Sequence, residues 1–416
     1  ELIDLTWQNT VKGYCEKPYN KYCTDLRDFL QKNMDWVNAQ KDREGDYWGM
    51  VRAFMVQVEG LEAGYKSQQA GEIHGASGKL DPFGMYFLQV SGDVEDLEEA
   101  LGKKDAKRVR GSGSCSALIK LLPGNKDLYV SHDTWNTYQS MIRVLKKYNF
   151  PYQMKKGGTI PGHTMTFSSY PGTLMSGDGT SWAQLFIPYN SGTYNNQWMV
   201  VDYKQFVPGS ANMTKLLHIV EQIPGMMAAD DKTDLILKQS YWPSYNIPYF
   251  PIIFNKSGGN ENVRKYGDWF SYNGSPRARI FKRDNTKVTD LKSMMSLMRY
   301  NDFTHDPLSR CNCTPPYSGE NSISARCDLN PANGTYPFGA LGHRSHGGTD
   351  MKLTNSAMFR AMQFVAISGP TYDQFAPFQW STSDFKDNTP HMGHPDTFKF
   401  DPVVFDGTTD FKPFQK

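Results

Sequence analysis

The sequence predicts a layered α+β protein, and three of its features say so. Apolar positions in roughly the first hundred residues recur with a helical period; from Cys115 onward the period drops to two; farther along, strand-like and helix-like segments mix without regular alternation. A chain of 416 residues can bury a sizeable core. Its 45 Lys and Arg nearly cancel its 43 Asp and Glu, so no charge field points to nucleic acid or an anionic membrane as partner. No apolar run approaches the roughly 18 residues of a membrane span, so no transmembrane anchor is expected. The opening "ELIDLTWQNT" lacks the charged start and apolar stretch of a signal peptide.

In residues 24–37, Leu26, Phe29, Leu30, Met34 and Val37 fall on one side of a helix that Thr24 or Asp25 can cap. A second helix is expected over 47–65. The apolar stretch "FGMYFLQVSGD" has strand character, and a short acidic helix over 93–101 ends at Gly102. Residues 103–114 carry five basic side chains, Gly111 and Gly113 and no large apolar anchor, the composition of an exposed, protease-accessible loop and the best boundary in the chain. Beyond it Cys115, Ala117, Ile119 and Leu121 alternate with Ser116, Leu118, Lys120 and Leu122. "PGNKD" makes a turn and "LYVSH" returns, which reads as a buried hairpin. "TYQSMIRVLKKYNF" then places Tyr138, Met141, Ile142 and Leu145 on one helical stripe. "MTFSSY", "QWMVVDYKQF" and "YFPIIFN" read as strands, and "TDLKSMMSLMRYNDF" as a helix.

Asn212, Asn255, Asn273, Asn312 and Asn333 each head an Asn-X-Ser/Thr triplet in polar or turn-rich surroundings where a glycan could sit. Cys15 and Cys23 flank "EKPYNKY", a loop that a disulfide closes readily with about 2.5 kcal/mol of loop-entropy stabilisation. Cys311, Cys313 and Cys327 form a second group. If Cys115 stays free one thiol is left over, Cys311 or Cys313; Cys313 and Cys327 are favoured for a bridge, with the pairing among the three left open. His343 and His346, like His391 and His394, have H-x-x-H spacing. Both pairs lie in Gly-rich loops with no strong carboxylate or cysteine set beside them, so neither a metal nor another cofactor is expected.

A thiol that opens a strand behind a Gly-Ser tract suits a cysteine that becomes the first residue of a new chain. Cleavage between Ser114 and Cys115 would free an α-amino group with an unperturbed pKa of about 7.7–8.0, so one residue would hold a nucleophile and a base for its proton. The flexible tract lets the backbone bend until the sulfur reaches the preceding carbonyl. The plain alternative is a small buried cysteine in a core strand.

The segments "GSCSALIKLLPGNKDLYVSHDTWNTYQSMIRVLKKY", "FSSYPGTLMSGD", "NSGTYNNQWMVVDYK", "VEQIPGM", "SYNIPYF", "YGDWFSY", "SARCDLNPANGTYPF" and "HGGTDMK" follow one another in order. Together, from about Leu5 to Pro402, they resemble the phospholipase B-like proteins, lysosomal glycoproteins of the N-terminal nucleophile hydrolase superfamily. "CNCTPP" and "SARCDLNP" look closer to the first branch of that family, phospholipase B-like 1.

The resemblance implies an αββα sandwich of two stacked antiparallel sheets flanked by helices. It implies a largely helical fragment 1–114 and a catalytic fragment 115–416, both parts of one structural unit. The implied reaction is hydrolysis of an acyl ester or amide through a thioester on Cys115, with a lipid or N-acyl small molecule as substrate. The implied location is the lysosome lumen or outside the cell; the oligomeric state is left open.

Among site residues, His132 and Trp135 lie where the related bile-salt hydrolases and penicillin V acylases carry an Arg and an Asp. That is a departure, because Trp135 cannot orient an ammonium group by charge. Asn196 in "TYNNQW" is the expected oxyanion donor, a kind of contact whose loss costs about 3–4 kcal/mol. Arg326 in "SARCDLNP" is the expected nearby cation, with a surface ion pair to Asp328 as its alternative. In the family "SSYPGTLMSGD" continues into further strands, whereas here Asp178 is followed at once by "GTSWAQLF". Omission of residues is favoured over loss, because losing strands from an inner sheet would expose apolar surface and unpaired backbone. The rival from another class is a catalytically silent lysosomal glycoprotein of the same fold that binds lipid or a protein partner.

Overall fold

A computed structural model describes residues 1–40, 42–67, 80, 82–103, 115–144, 178–406 and 412–414. Ser114, the Gly-Ser tract and "MTFSSY" lie outside the described residues. The chain divides into two compact units. One comprises Glu1–Ala106, Val144–Gly177 and Ser181–Asn195; the other comprises Lys107–Arg143, Asp178–Thr180 and Asn196–Lys416.

The first unit contains α1 (Leu2–Thr10), α2 (Lys21–Ala39), α3 (Asp46–Ser67), α4 (Pro82–Gln89) and α5 (Val94–Ala100). The stripe on α2 buries Leu26 and Leu30 in a cluster with Phe87, Val94 and Leu97. Its cap is Asn20, whose Oδ1 accepts the Cys23 N–H at 2.8 Å, so the helix starts earlier than the Thr24 or Asp25 cap implies. Cys15 and Cys23 form the expected disulfide, their Cα atoms 5.7 Å apart. The run "FGMYFLQ" is a helix, not a strand. Met85 packs with Tyr65 and Leu80 while Phe87 packs with the α2 cluster, and an apolar run buried on more than one side carries no period that separates the two structures. After α5, Gly102 takes φ +69°, the left-handed stop the sequence predicts.

The second unit is built on two antiparallel sheets. Its strands are β1 (Cys115–Leu121), β2 (Leu128–Thr137), β3 (Gln197–Val201), β4 (Leu217–Ile223), β5 (Met226–Asp231), β6 (Tyr241–Ser244), β7 (His346–Gly348), β8 (Asp350–Thr354), β9 (Phe364–Ser368), β10 (Val403–Phe405) and β11 (Lys412–Pro413). The larger sheet runs β11-β10-β9-β8-β2-β1-β6, with β7 pairing the far end of β2; β3-β4-β5 make the smaller one. The predicted hairpin is present, with Cys115 opposite Thr134, Ala117 opposite His132 and Leu121 opposite Leu128. β1 is therefore an interior strand between β2 and β6, and Cys115 is its first residue.

Each face of β1 has its own covering layer. Ile119, Leu121, Leu128 and Trp242 pack against Leu217 and Ile219 of the smaller sheet. On the opposite face Leu118, Met351, Leu353 and Val365 meet α6 (Pro276–Asp284) and α7 (Leu291–Met298) through Ile280, Phe281, Met294 and Met298. A capping box of Asp290 and Ser293 starts α7. The fold class is thus α+β with stacked antiparallel sheets, as the sequence predicts.

Two further elements differ from expectation. "YFPIIFN" forms a helix over Pro251–Lys256, with Pro251 in the first turn, where a missing N–H loses no intrahelical bond. β2 runs on to Thr137 and yields only a 3₁₀ turn at Tyr138–Ser140. Tyr138 and Met141 therefore pack with Phe378, Trp380 and Phe398 in place of a helix laid over β1. Residues 145–177, Leu145 among them, lie outside the described residues. Among the described residues no helix is long and apolar enough to cross a membrane.

Candidate active site

Cys115 is held by its backbone. Its N–H donates to Asn246 Oδ1 at 3.1 Å, and its carbonyl oxygen accepts a hydrogen bond from Arg277 Nη1. The same Nη1 donates to Asn246 Oδ1 at 3.0 Å and contacts Ser116 Oγ at 3.3 Å, while Nη2 donates to the Tyr245 carbonyl at 2.7 Å. Arg277 is 6% exposed, and its guanidinium lies 4.3 Å from the centroid of the Trp135 ring. Burial pushes its pKa down to about 10, which leaves it cationic at neutral pH. Asn246 takes φ +66°, a left-handed conformation that asparagine tolerates better than most residues.

The thiol belongs to the other face of β1. Residues directly opposite in an antiparallel pair share a face, so Cys115 stands with Thr134, and two positions along Ala117 stands with His132. The Trp135 backbone N–H reaches the thiol. Burial nonetheless pushes the Cys115 pKa up to about 11; the Trp135 N–H and Lys352 pull it down, and Asp133 and Asp350 add to the rise. His132 is pushed down to about 3 by burial and then by Lys352, so its ring is neutral across the physiological range. Asp133 is fully buried, and burial holds its carboxyl well above the usual carboxylate range. The thiol is therefore protonated at neutral pH, and His132 is too weak a base to change that.

Of the residues singled out in the sequence, Cys115 and His132 share one face of the β1–β2 hairpin, whereas the Trp135 ring lies on the opposite face against Arg277, Ala325 and Cys327. Asn196 is partly buried one residue before β3 in the other sheet; its neighbour Gln197 accepts from Trp242 Nε1 at 3.1 Å beside β1. Arg326 has a structural task. Its guanidinium pairs with Asp328 at 2.8 Å and donates to the carbonyls of Thr371 and Ala376; the ion pair of the alternative reading is present, but buried and not at the surface. The cation at Cys115 is Arg277 instead, and with Asn246 it was missed. Asn246 lies in the segment "SYNIPYF", and Arg277 sits in the first turn of α6, where a positive charge opposes the helix dipole. Arg277 also borders a small pocket with room for about one water, with Tyr245, Ile247, Trp269 and Glu320 in its walls.

The expected Cys313–Cys327 bridge is corrected. Cys311 and Cys313 are bonded to each other and Cys327 is a free, buried thiol. Cys327 packs with Trp135 and Ala325 and turns its sulfur to Glu320 Oε2 at 2.9 Å, whereas Cys311 and Cys313 lie together against the cluster around Phe338. Glu320, Cys327 and His346 bring their donor atoms within 4.8 Å of one another, a grouping that H-x-x-H spacing does not reveal. Arg344 Nη2 lies 3.0 Å from Glu320 Oε2 and 3.6 Å from the Cys327 sulfur, and burial pushes that thiol well above its ordinary pKa. Zinc requires a thiolate, so this guanidinium-filled group is a poor fit for the metal. All five acceptor asparagines, Asn212, Asn255, Asn273, Asn312 and Asn333, are exposed.

Comparison with known proteins places these features in a wider group. The Phospholipase B family model matches residues 1–179 and 175–405. The chain is 47% identical over 463 residues to phospholipase B-like 2 of Homo sapiens, covering 97% of this chain and 78% of the relative. It is 41% identical over 460 residues to phospholipase B-like 1 of Caenorhabditis elegans, covering 97% and 79%. Phospholipase B-like protein A of Dictyostelium discoideum is 32% identical over 469 residues, covering 96% and 79%. These identities do not single out the first branch. Each alignment is longer than the 416 residues of the chain, so the relatives carry residues that have no counterpart here. The family match breaks at 175–179, where the sequence reading places a missing segment.

Proposed function

Because the chain belongs to the phospholipase B family, we propose that it is an N-terminal cysteine hydrolase, cut between Ser114 and Cys115, that hydrolyses an acyl ester or amide bond of a lipid. The observation that carries this reading is the side-chain grip on the Cys115 backbone. Asn246 Oδ1 accepts from the nitrogen and Arg277 donates to the carbonyl. Once the preceding bond is cut, the same Oδ1 can accept from the α-amino group, which supplies the base that the uncut site lacks.

In this mechanism the amine takes the thiol proton as sulfur attacks the acyl carbonyl. The oxyanion accepts hydrogen bonds from an asparagine amide, Asn196 or Asn246. The ammonium then protonates the departing alcohol or amine, and water hydrolyses the thioester to release the acid and restore the thiol. His132, neutral and on the thiol's face, orients substrate. The exposed acceptor asparagines and the Cys15–Cys23 disulfide support a glycoprotein of the lysosome lumen or the cell exterior. The names of the relatives support a lipid substrate.

A second reading, a silent lipid- or protein-binding glycoprotein, draws on Trp135 standing in place of an acid and on the protonated thiol of the uncut chain. Processed protein assayed on panels of phospholipids and N-acyl amides, beside Cys115→Ala, decides between them. The larger fragment should begin Cys-Ser-Ala-Leu, and Cys115→Ala should be uncut and inert, while Cys115→Ser retains slow cleavage. A single uncut chain that turns over substrate rejects the proposal; a cut, folded protein inert on every panel member favours the second reading.

A further inference from the structure

The sheet face that carries the Cys115 thiol also carries an ion pair from β8. His132 stands opposite Lys352 across the β2–β8 ladder, so Lys352 shares the face of His132, Thr134 and Cys115. Lys352 Nζ donates to Thr134 Oγ1 at 2.7 Å and pairs with Asp350, and Asp350 Oδ1 accepts the Thr134 N–H at 3.1 Å. Thr134, the residue directly across from the nucleophile, is gripped by its side chain and its backbone at once. The lysine side chain is only 16% exposed, so water screens its charge weakly.

We propose that Lys352 is the positioning residue of the nucleophile: anchored by Asp350, it holds Thr134 against Cys115 and supplies the positive charge that favours the Cys115 thiolate. The inference rests on Cys115 being the nucleophile. Among the described residues, the charged and titratable groups around Cys115 are His132, Asp350 and Lys352 on the thiol's face, and Asp133 on β2 and Arg277 on α6 on the opposite face. Asp133 and Asp350 oppose the thiolate, and His132 is neutral. Arg277 lies on the far face, bound to the Cys115 carbonyl. Lys352 is the cation on the thiol's own face.

The test uses the full chain and the rate at which iodoacetamide alkylates Cys115, located by peptide mass so that Cys327 does not contribute. Lys352→Met should slow alkylation about tenfold near pH 8, the equivalent of raising the thiol pKa by about one unit. Lys352→Arg should restore the native rate. An unchanged rate in a Lys352→Met protein with a native melting transition overturns the proposal. Should that variant fail to fold, Lys352→Gln takes its place, with the same slowing expected and an unchanged rate overturning the proposal. Alkylation does not require turnover, so an active Cys115→Ala protein would reject the nucleophile assignment while leaving the effect of Lys352 measurable.

Discussion

Asn246 accepts two hydrogen bonds on one oxygen, from the backbone N–H of Cys115 at 3.1 Å and from Arg277 Nη1 at 3.0 Å. The amide therefore fixes both the strand-opening residue and the guanidinium that holds its carbonyl. Asn246→Ala should lower turnover by about 10²-fold or more, the range for losing one oriented polar contact at a reacting centre. Steady-state kinetics on protein with an intact melting transition checks this. Loss of fold without any kinetic defect in the residual native protein would assign Asn246 to structure alone.

Neighbours on β2 should give opposite pH dependences of stability. The His132 pKa is depressed to about 3, so below about pH 6.5 the unfolded chain binds a proton that the folded chain does not. Stability is then lost as pH falls toward 3, by up to about 1.4 kcal/mol per unit. Asp133 is raised above its unfolded value, so stability is lost as pH rises above about 3.8 toward its folded pKa. In urea melts, His132→Asn should flatten the acid side of the profile. Asp133→Asn should be more stable than native at neutral pH, with the gain vanishing near pH 4.

The cysteine count is a direct check on the second disulfide. Alkylation after denaturation without reductant should label Cys115 and Cys327 alone, and peptide mapping should recover Cys311 and Cys313 joined within one short peptide. A cross-link from Cys313 to Cys327 would refute that pairing.

Gly347 in "HGGTDMK" packs where β7 meets β2. A Cβ there would collide with the Ala325 carbonyl oxygen and come within 2.6 Å of the Tyr138 hydroxyl. Gly347→Ala should therefore cost about 1–3 kcal/mol, the usual range for overpacking, and lower the melting temperature.

The hairpin at Cys115 was legible because its side chains alternate over seven residues and its turn carries Pro-Gly-Asn, a local signal with a local cause. "FGMYFLQ" and "YFPIIFN" were not, since short apolar runs buried on several sides have no solvent face to impose a period. At the site, Cys115, His132 and Trp135 were within reach because one hairpin carries all three, the first two on one face and Trp135 on the other. Asn246 and Arg277 lie 131 and 162 residues from Cys115, and only the pairing of β6 with β1 and the packing of α6 beneath them bring them in. Arg326 misled because a buried arginine in a family motif looks the same in sequence whether it meets substrate or braces a loop.

Both anchors on residue 115 lie on the downstream side of the Ser114–Cys115 bond. Asn246 grips the nitrogen that would become the new terminus, and Arg277 grips the carbonyl after it. Breaking that bond removes neither, so scission would alter the chemistry of the terminus without altering its address. If the chain is cut there as proposed, the grip on the new terminus is already in place before the cut, and the sheet need not be rebuilt around it.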